Sequence, residues 1–553
     1  MRKDISGWSV RLDDKLIERY TKSGDWPNKT MADYAEEVAE RAPGRVTHVF
    51  GTERLTAPQL LNEARRLASA LQNRGLVAGD VVSFQLPNWR EAVAIDLACS
   101  MLGLVVAPIV PIYRDAEVQY MLKDAGVKAA FFAESYRGVD FASMMDRLKN
   151  QLPELKLCIP VRAIKENADS FEALIAEGDD KWQRPHVDPN SVKMILYTSG
   201  TTGRPKGVLH THNTGPLRNQ AAVNYWFKDV RDEEGLSTTM LMASPVTHVT
   251  GQSAMELPFF SDARTIFMER WDAEAAIGLI ESERVTWSVG ATPFLQELLA
   301  EAERQGSRLE TLKVFACGGA EVPPQLIRKA YESLDQCKAV RVFGSSECPL
   351  ITLGFVGHDQ EELAATTDGV IVDYDVRVVD DEGNQLLNGQ IGEICARGPS
   401  MMLGYANPDQ TAESFDEDGF FATGDLGYVT VDNAIVITGR KKDLINRGGE
   451  KISAKEVEDV LHQIPAIKEA AVVSMPHERM GETVCAYVIL KPGMELDLST
   501  LVEYVRGADM ARQKTPERLV VVEDFPRTAS GKIRKDKLRE DIRQGIAQES
   551  QAG

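Results

Sequence analysis

Between Tyr197 and Gly207 the chain reads Tyr-Thr-Ser-Gly-Thr-Thr-Gly-Arg-Pro-Lys-Gly, directly after the apolar run Met194-Ile195-Leu196. Thr198, Ser199, Thr201 and Thr202 supply hydroxyls that donate to phosphate oxygens. Gly200, Gly203 and Gly207 let backbone N–H groups close on a ligand, and Arg204 and Lys206 answer its charge. This is the make-up of a phosphate-holding loop. It is not the Gly-x-x-x-x-Gly-Lys-Ser/Thr P-loop, because Arg204 follows Gly203 and Gly207 follows Lys206. A Ser/Thr/Gly surface linker has a similar composition, but linkers rarely alternate hydroxyls with glycines and then close on a Pro-Lys-Gly turn.

Six further segments carry residues of the same kind of chemistry. Phe343-Gly344-Ser345-Ser346-Glu347 offers a glycine for close approach, two hydroxyls and a carboxylate; a carboxylate near phosphates suits a hard cation. Thr423-Gly424-Asp425 places an acceptor-only carboxylate after a tight turn, a partner for a vicinal diol. Pro245-Val246-Thr247-His248-Val249-Thr250-Gly251 holds a lone histidine, and Cys317-Gly318-Gly319-Ala320 puts two glycines after a strand. The run from Gly439 to Ile452 concentrates Arg440, Lys441, Lys442, Arg447 and Lys451 around Gly448-Gly449. Arg527-Thr528-Ala529-Ser530-Gly531-Lys532-Ile533 ends on a lysine that follows a Ser-Gly turn.

Together these segments resemble, in order and over residues 197 to 533, the signature of the adenylate-forming superfamily: acyl-CoA synthetases, aryl-acid and amino-acid adenylating domains, and luciferases. The resemblance implies ATP, Mg²⁺ and coenzyme A as cofactors and a small carboxylic acid as substrate. Lys532 becomes the adenylation lysine, Glu347 and Thr201 hold Mg²⁺, and His248 is a wall or gate of the acyl pocket. Thr198 to Gly203, Lys206, Gly318, Gly319, Ala320, Phe343, Gly344, Ser345 and Ser346 surround the nucleotide. Asp425 and Arg440 hold the ribose, Lys442 falls on the hinge position, and Gly448 and Gly449 approach the pantetheine arm. Many relatives carry Asp rather than Lys at the hinge. Among members, the likeness runs to bacterial ligases for medium-chain, alicyclic or aromatic acids, and also to aryl-acid enzymes that load carrier proteins. Dihydroxybenzoate ligases usually have Asn after the pocket histidine; Val249 here is apolar and cannot pair with a ring hydroxyl.

The elements that must position these residues follow from patterning. From about residue 30 to 430, short apolar runs alternate with helical periodicity, which predicts parallel or mixed sheets with covering helices in an α/β fold. Strands are expected at Val81–Phe84, Ala129–Phe132, Leu157–Pro160 and Lys313–Ala316, and helices at Ala57–Gln72, opened by a Thr56/Gln59 capping box, and at Glu91–Leu102. Strand-like Val370–Val379, the turn Asp381–Asn384 and Gly392–Ala396 predict a β-rich subdomain over about 350–439. Beyond it the pattern is that of a small α+β unit. A capping box at Ser453-Ala454-Lys455-Glu456 opens a helix to about Gln463, strands follow at Ala470–Ser474 and Thr483–Leu490, and a helix at Ser499–Ala508. The expected division is an N-terminal domain of residues 1–439 and a mobile C-terminal domain of 440–553, joined by a hinge.

Composition bounds the rest. The 553 residues are 43% hydrophobic and 26% charged, ordinary for a soluble protein, and exceed one core. A formal charge of -20 argues against nucleic acid as a partner, so anionic ligands need local basic patches. Seven scattered cysteines without a Cys-x-x-Cys pair support neither a zinc site nor a disulfide framework. The basic N-terminus lacks an apolar region behind it, the run Ala92–Val110 reads as a buried helix and strand rather than a membrane span, and the C-terminus carries no lipidation or peroxisomal signal. A cytoplasmic protein is expected. Three readings stay open beside a CoA ligase: delivery of the acyl group to a carrier-protein phosphopantetheine, a non-catalytic nucleotide-binding protein on the same fold, and a luciferase-like oxygenase.

Overall fold

A computed structural model of the chain describes residues 1–164, 168–198, 205–214, 218–319, 322–334, 336–508, 510–528 and 531–552. Runs of branched and aromatic residues form two large sheets. In the first, Leu157–Val161, Val127–Ala133, Val81–Gln85, Val105–Pro108 and Val192–Thr198 lie side by side in parallel, and Lys206–Thr211 closes the edge antiparallel. The second runs Lys338–Val342, Val314–Gly318, Trp287–Gly290, Thr238–Met242, Ala263–Phe267 and Val46–Phe50 in parallel, with Glu53–Thr56 antiparallel at the end. Such sheets need apolar cover on both faces. Helices Glu91–Leu102 and Val249–Phe260 provide it between them: every residue of the former is buried, so its apolar residues are not confined to one stripe.

Local signals act as their chemistry requires. The Thr56 backbone N–H donates to Gln59 Oε1 at 2.9 Å, opening the helix Ala57–Asn73. A four-stranded antiparallel sheet follows, in the order Asp375–Val379, Gly392–Arg397, Phe421–Val429 and Ile435–Arg440. The last sheet comprises Glu450–Ser453, Leu444–Arg447, Gly481–Leu490 and Ile467–His477, with Arg518–Val521 parallel to Gly481–Leu490.

Three local expectations change. The run Val370–Val379 splits into Val370–Ile371 and Asp375–Val379, because Asp373 between them turns to φ 54, a left-handed conformation that Asp tolerates. Ser453 accepts from the Glu456 N–H at 3.4 Å, but its hydroxyl donates to the Thr438 carbonyl at 2.6 Å and the Glu456 side chain pairs with Lys514 instead of reaching back. That helix, Ala454–Leu461, has half a capping box and ends two residues early. Thr423-Gly424-Asp425 lies inside the strand Phe421–Val429, not after a turn; Gly424 at φ 73 lets the strand bulge, and the register slips beside it. All seven cysteines are free thiols, and no helix among the described residues is long and apolar enough to cross a membrane.

The interior also holds neutral histidines. His48 is wholly buried, with Nε2 2.7 Å from the Met255 carbonyl and Nδ1 2.9 Å from Thr47 Oγ1, and burial pushes its pKa down to about 4; His210 is driven to about 4 by the same cause. An unfolded chain protonates histidine near 6.5, so between pH 6.5 and 4 it binds more protons than the folded one, and stability falls as pH drops. Each such residue contributes a loss of about 3 kcal/mol across that window. Urea titrations of wild type and His48→Gln at pH 7 and 4.5 should show the variant losing less stability on acidification. Parallel losses would count against this account.

Candidate active site

The carboxyl ends of the second sheet's strands open into a cavity of about 1030 Å³. Gly290, Gly318 and Val342 end these strands, Gly318 opposite Val342 and Gly290 opposite Cys317, and line it. The first sheet contributes Thr198 and Lys206 from the two strands flanking the glycine-rich segment, helix Val249–Phe260 contributes its cap residue His248, and the four-stranded sheet contributes Thr423, Gly424 and Arg440. Arg527, Thr528, Gly531 and Lys532 complete the wall from the C-terminal region. Parallel sheets bind ligands at this end, where loops diverge from the strands.

The predicted residues divide by position. Thr198, Lys206, His248, Gly318, Gly319, Gly344, Ser345, Ser346, Glu347, Arg440, Lys442 and Lys532 line the cavity. Asp425 stands just behind it, and Phe343 packs into the core under the four-stranded sheet. Gly448 and Gly449 form the turn between Leu444–Arg447 and Glu450–Ser453, away from the cavity walls. Ser199, Gly200, Thr201, Thr202, Gly203 and Ala320 lie outside the described residues. Gly344 has a different reason from the one the sequence suggests: a Cβ there would stand 2.4 Å from the Leu350 backbone nitrogen, so the protein's own backbone fills the space expected for a ligand.

Charge is crowded into one end of the cavity. Arg440 Nε sits 2.7 Å from Asp425 Oδ1, and Asp425 is 4% exposed. Burial pushes the Asp425 carboxyl up, and the Arg440 and Lys532 cations pull it down. Lys532 is depressed to about 8, by burial first and then by repulsion from Arg440, with Asp425 and Glu347 opposing. His248 falls to about 4 through burial and the nearby Lys532 charge, so at neutral pH it is an uncharged imidazole. Burial and Arg440 also lower Lys442. Lys532 is held by a tight turn: the Thr528 N–H donates to the Lys532 carbonyl at 2.7 Å, and the Lys532 N–H donates to Thr528 Oγ1 at 3.1 Å. Arg527 braces this turn through the Gly531 carbonyl at 3.2 Å and Glu469 at 2.6 Å.

Two residues the sequence reading missed fix the Glu347 loop. Tyr405 donates its hydroxyl to Glu347 Oε1 at 3.0 Å, and the Lys206 ammonium lies 4.9 Å from its ring centroid. His210 Nε2 meets the Ser346 carbonyl at 2.7 Å. Neither carried a sequence signal that pointed to Glu347 or Ser346. The lining also carries the apolar groups Val249, Val289, Phe294 and Leu350, and the indoles of Trp226 and Trp287 lie edge-on at 5.7 Å. No group of three or more His, Cys, Asp or Glu side chains among the described residues is placed to cage a metal. Glu347 offers a single hard oxygen ligand, which fits a cation such as Mg²⁺ that keeps waters and phosphate oxygens as its remaining partners.

Known proteins match nearly the whole chain. Residues 35–406 match the model of AMP-binding enzymes, and 456–532 match the C-terminal domain of AMP-binding enzymes. The chain is 34% identical to the medium-chain fatty-acid–CoA ligase of Escherichia coli, over 98% of this chain and 95% of that one. It is 31% identical to the 2,3-dihydroxybenzoate-AMP ligase of Bacillus subtilis, over 98% of each. The crystal structure of ATP-bound MatB from Rhodopseudomonas palustris superposes with a TM-score of 0.80 at 26% identity, covering 92% of this chain and 98% of that one.

The crowding makes a measurable demand on Lys532. In competitive labelling with an amine-reactive anhydride, this lysine should titrate near pH 8, below the surface lysines, and Arg440→Gln should move its midpoint upward by removing the repelling cation. A midpoint near 10.5 in both proteins would contradict the electrostatics described.

Proposed function

The chain belongs to the family of AMP-binding enzymes, adenylate-forming ligases that act on carboxylic acids, and we propose that its acid is largely apolar and its final acceptor the thiol of coenzyme A. In the first step a carboxylate oxygen attacks the α-phosphorus of ATP, the bond to the β-phosphate breaks, and acyl-AMP and pyrophosphate form. In the second the CoA sulfur attacks the acyl carbon, losing its proton, and AMP leaves. Positioning and charge neutralisation do most of this work. The observation that carries the reading is one cavity whose lining joins the cations Lys532 and Arg440 to the apolar groups Val249, Trp226 and Trp287.

Each residue then has a task. The Lys532 ammonium bridges the substrate carboxylate and the α-phosphate, and bound anions raise its pKa so that it is charged when needed. Asp425 accepts from the ribose hydroxyls, with Arg440 holding it ionised and in place. Lys206 and the hydroxyls from Thr198 onward take the outer phosphates, with Gly318, Gly319 and the Ser345-Ser346 segment around the nucleotide. Glu347, with Thr201, would hold Mg²⁺, which would supply neutralisation of phosphate charge. Neutral His248 forms the boundary where the carboxylate meets the apolar groups. Residues 440–553 act as a mobile domain turning about Lys442, which brings the Gly448–Gly449 turn toward the pantetheine arm for the second step.

Val249 and the identity to a fatty-acid–CoA ligase support an apolar acid and CoA. The similarity to a dihydroxybenzoate-AMP ligase keeps a carrier-protein acceptor as the second reading. Acid-dependent pyrophosphate release across straight-chain, alicyclic and aromatic acids, with and without CoA, separates them. Thioester with CoA alone supports the first reading, release without thioester supports the second, and reaction confined to hydroxylated aryl acids refutes the apolar acid. Lys532→Ala should slow acyl-AMP formation by about 100-fold or more while thioester formation from supplied acyl-AMP persists. Equal loss of both steps would overturn the role given to Lys532.

A further inference from the structure

Behind the cavity, four buried polar side chains form a cluster that the chemistry above does not use. Lys193, on the strand Val192–Thr198 leading into the glycine-rich segment, meets Asp96 at 3.1 and 3.3 Å and also contacts Glu256. Asp96 belongs to Glu91–Leu102, and Glu256 to Val249–Phe260. Gln252, one turn ahead of Glu256, donates its amide to Asp96 Oδ1 at 2.9 Å and to Glu256 Oε1 at 3.1 Å. None of the four is more than 2% exposed. Two carboxylates therefore share one ammonium where water does not reach. Two oxygens in the cluster, Glu256 Oε2 and Gln252 Oε1, have no hydrogen-bond partner.

Among the described residues no second cation pairs with either carboxylate. Lys193 and Asp96 face Glu256 directly; among the described residues the ionisable groups near the cluster include the Cys99 thiol, which burial pushes up, and His210 and His212, which burial pushes down into their neutral forms. A buried carboxylate without its own counter-charge takes up a proton rather than remain ionised. We propose that Glu256 is a positioning residue that works as a neutral acid: one proton on Oε2 balances the cluster, which then fixes helix Val249–Phe260, with His248 at its cap, against the strand carrying the glycine-rich segment. Burial pushes this carboxyl up to about 7; Lys193 opposes the rise and Asp96 adds to it.

Glu256→Gln tests the proton, because an amide matches the neutral acid in shape and charge and keeps the oxygen that accepts from Lys193 and Gln252. In the unfolded chain the carboxyl loses its proton near 4.5, and in the folded chain near 7. The folded protein thus holds more protons between those values, and wild type loses stability as pH rises through them while the variant does not. The folding equilibrium constant of Glu256→Gln relative to wild type should grow roughly 100-fold from pH 4.5 to 7.5 in urea titrations. A constant ratio would overturn the proposal.

The positioning role rests on the acid activation proposed above and has its own readout. In pyrophosphate release, Glu256→Gln should keep the KM for the acid within about twofold of wild type, whereas Glu256→Met, which fills the volume without the hydrogen bonds, should raise it at least fivefold with a smaller change in kcat. Equal KM values in all three proteins would overturn the positioning role. If wild type releases no pyrophosphate with any acid, the functional reading fails, and the stability ratio alone decides for or against the proton.

Discussion

Asp425 is a carboxylate shut away from water, and such a group persists only if cations come to it. Arg440 answers at 2.7 Å and Lys532 adds its field. Arg440 ends the last strand of the four-stranded sheet, so the pair forms where the chain leaves that sheet for the final one. Lys532 arrives from the far end of that last region, on a turn braced by Arg527 and Glu469. The charge balance of the cavity therefore depends on how the C-terminal region sits against the rest, and any shift of that region changes the ionisation of Asp425, His248 and Lys532 together. Ion pairs Lys451–Asp381 and Lys441–Glu393 and the Ser453–Thr438 bond fix the arrangement seen here.

Most of the fold was legible because buried strands in this architecture must be apolar on both faces, and helix starts carry their own hydrogen-bonding residues. The Val81–Gln85 and Val127–Ala133 strands and the Thr56 cap needed no tertiary information. What stayed hidden depended on backbone angles or distant partners: Asp373 interrupting a β-prone run, Ser453 diverted to Thr438, Gly424 bulging a strand. The site divides in the same way. Glu347, Lys532 and Arg440 sit in contiguous motifs and were readable. Tyr405, 58 positions from Glu347, and His210, 136 from Ser346, become visible only when the sheets assemble.

The Lys193 cluster belongs to this hidden class, since 63 residues separate Lys193 from Glu256. An apolar replacement of similar volume costs less desolvation than a buried ion pair, so stability alone is a poor reason to keep the cluster. Position is a better one. Its members come from the strand entering the glycine-rich segment, a fully buried helix and the helix capped by His248, so the cluster ties together elements that end at the cavity. Apolar packing tolerates small slides, whereas hydrogen bonds of 2.9 to 3.3 Å among four side chains do not.

Under the role proposed for Lys532, the same logic gives a reason for a lysine, not an arginine, at position 532. A guanidinium stays charged under any burial a protein imposes, so beside Arg440 it would add a permanent repulsion to the ligand-free site. An ammonium near its titration midpoint can shed that cost when the site is empty and regain its charge when phosphate and carboxylate approach. It is also compact, a point charge able to face two anionic groups at once, where a planar fork would commit to one. The depressed Lys532 and the neutral His248 beside it thus follow from a single constraint: a cavity crowded with cations before its anionic ligands arrive must keep some of them dischargeable.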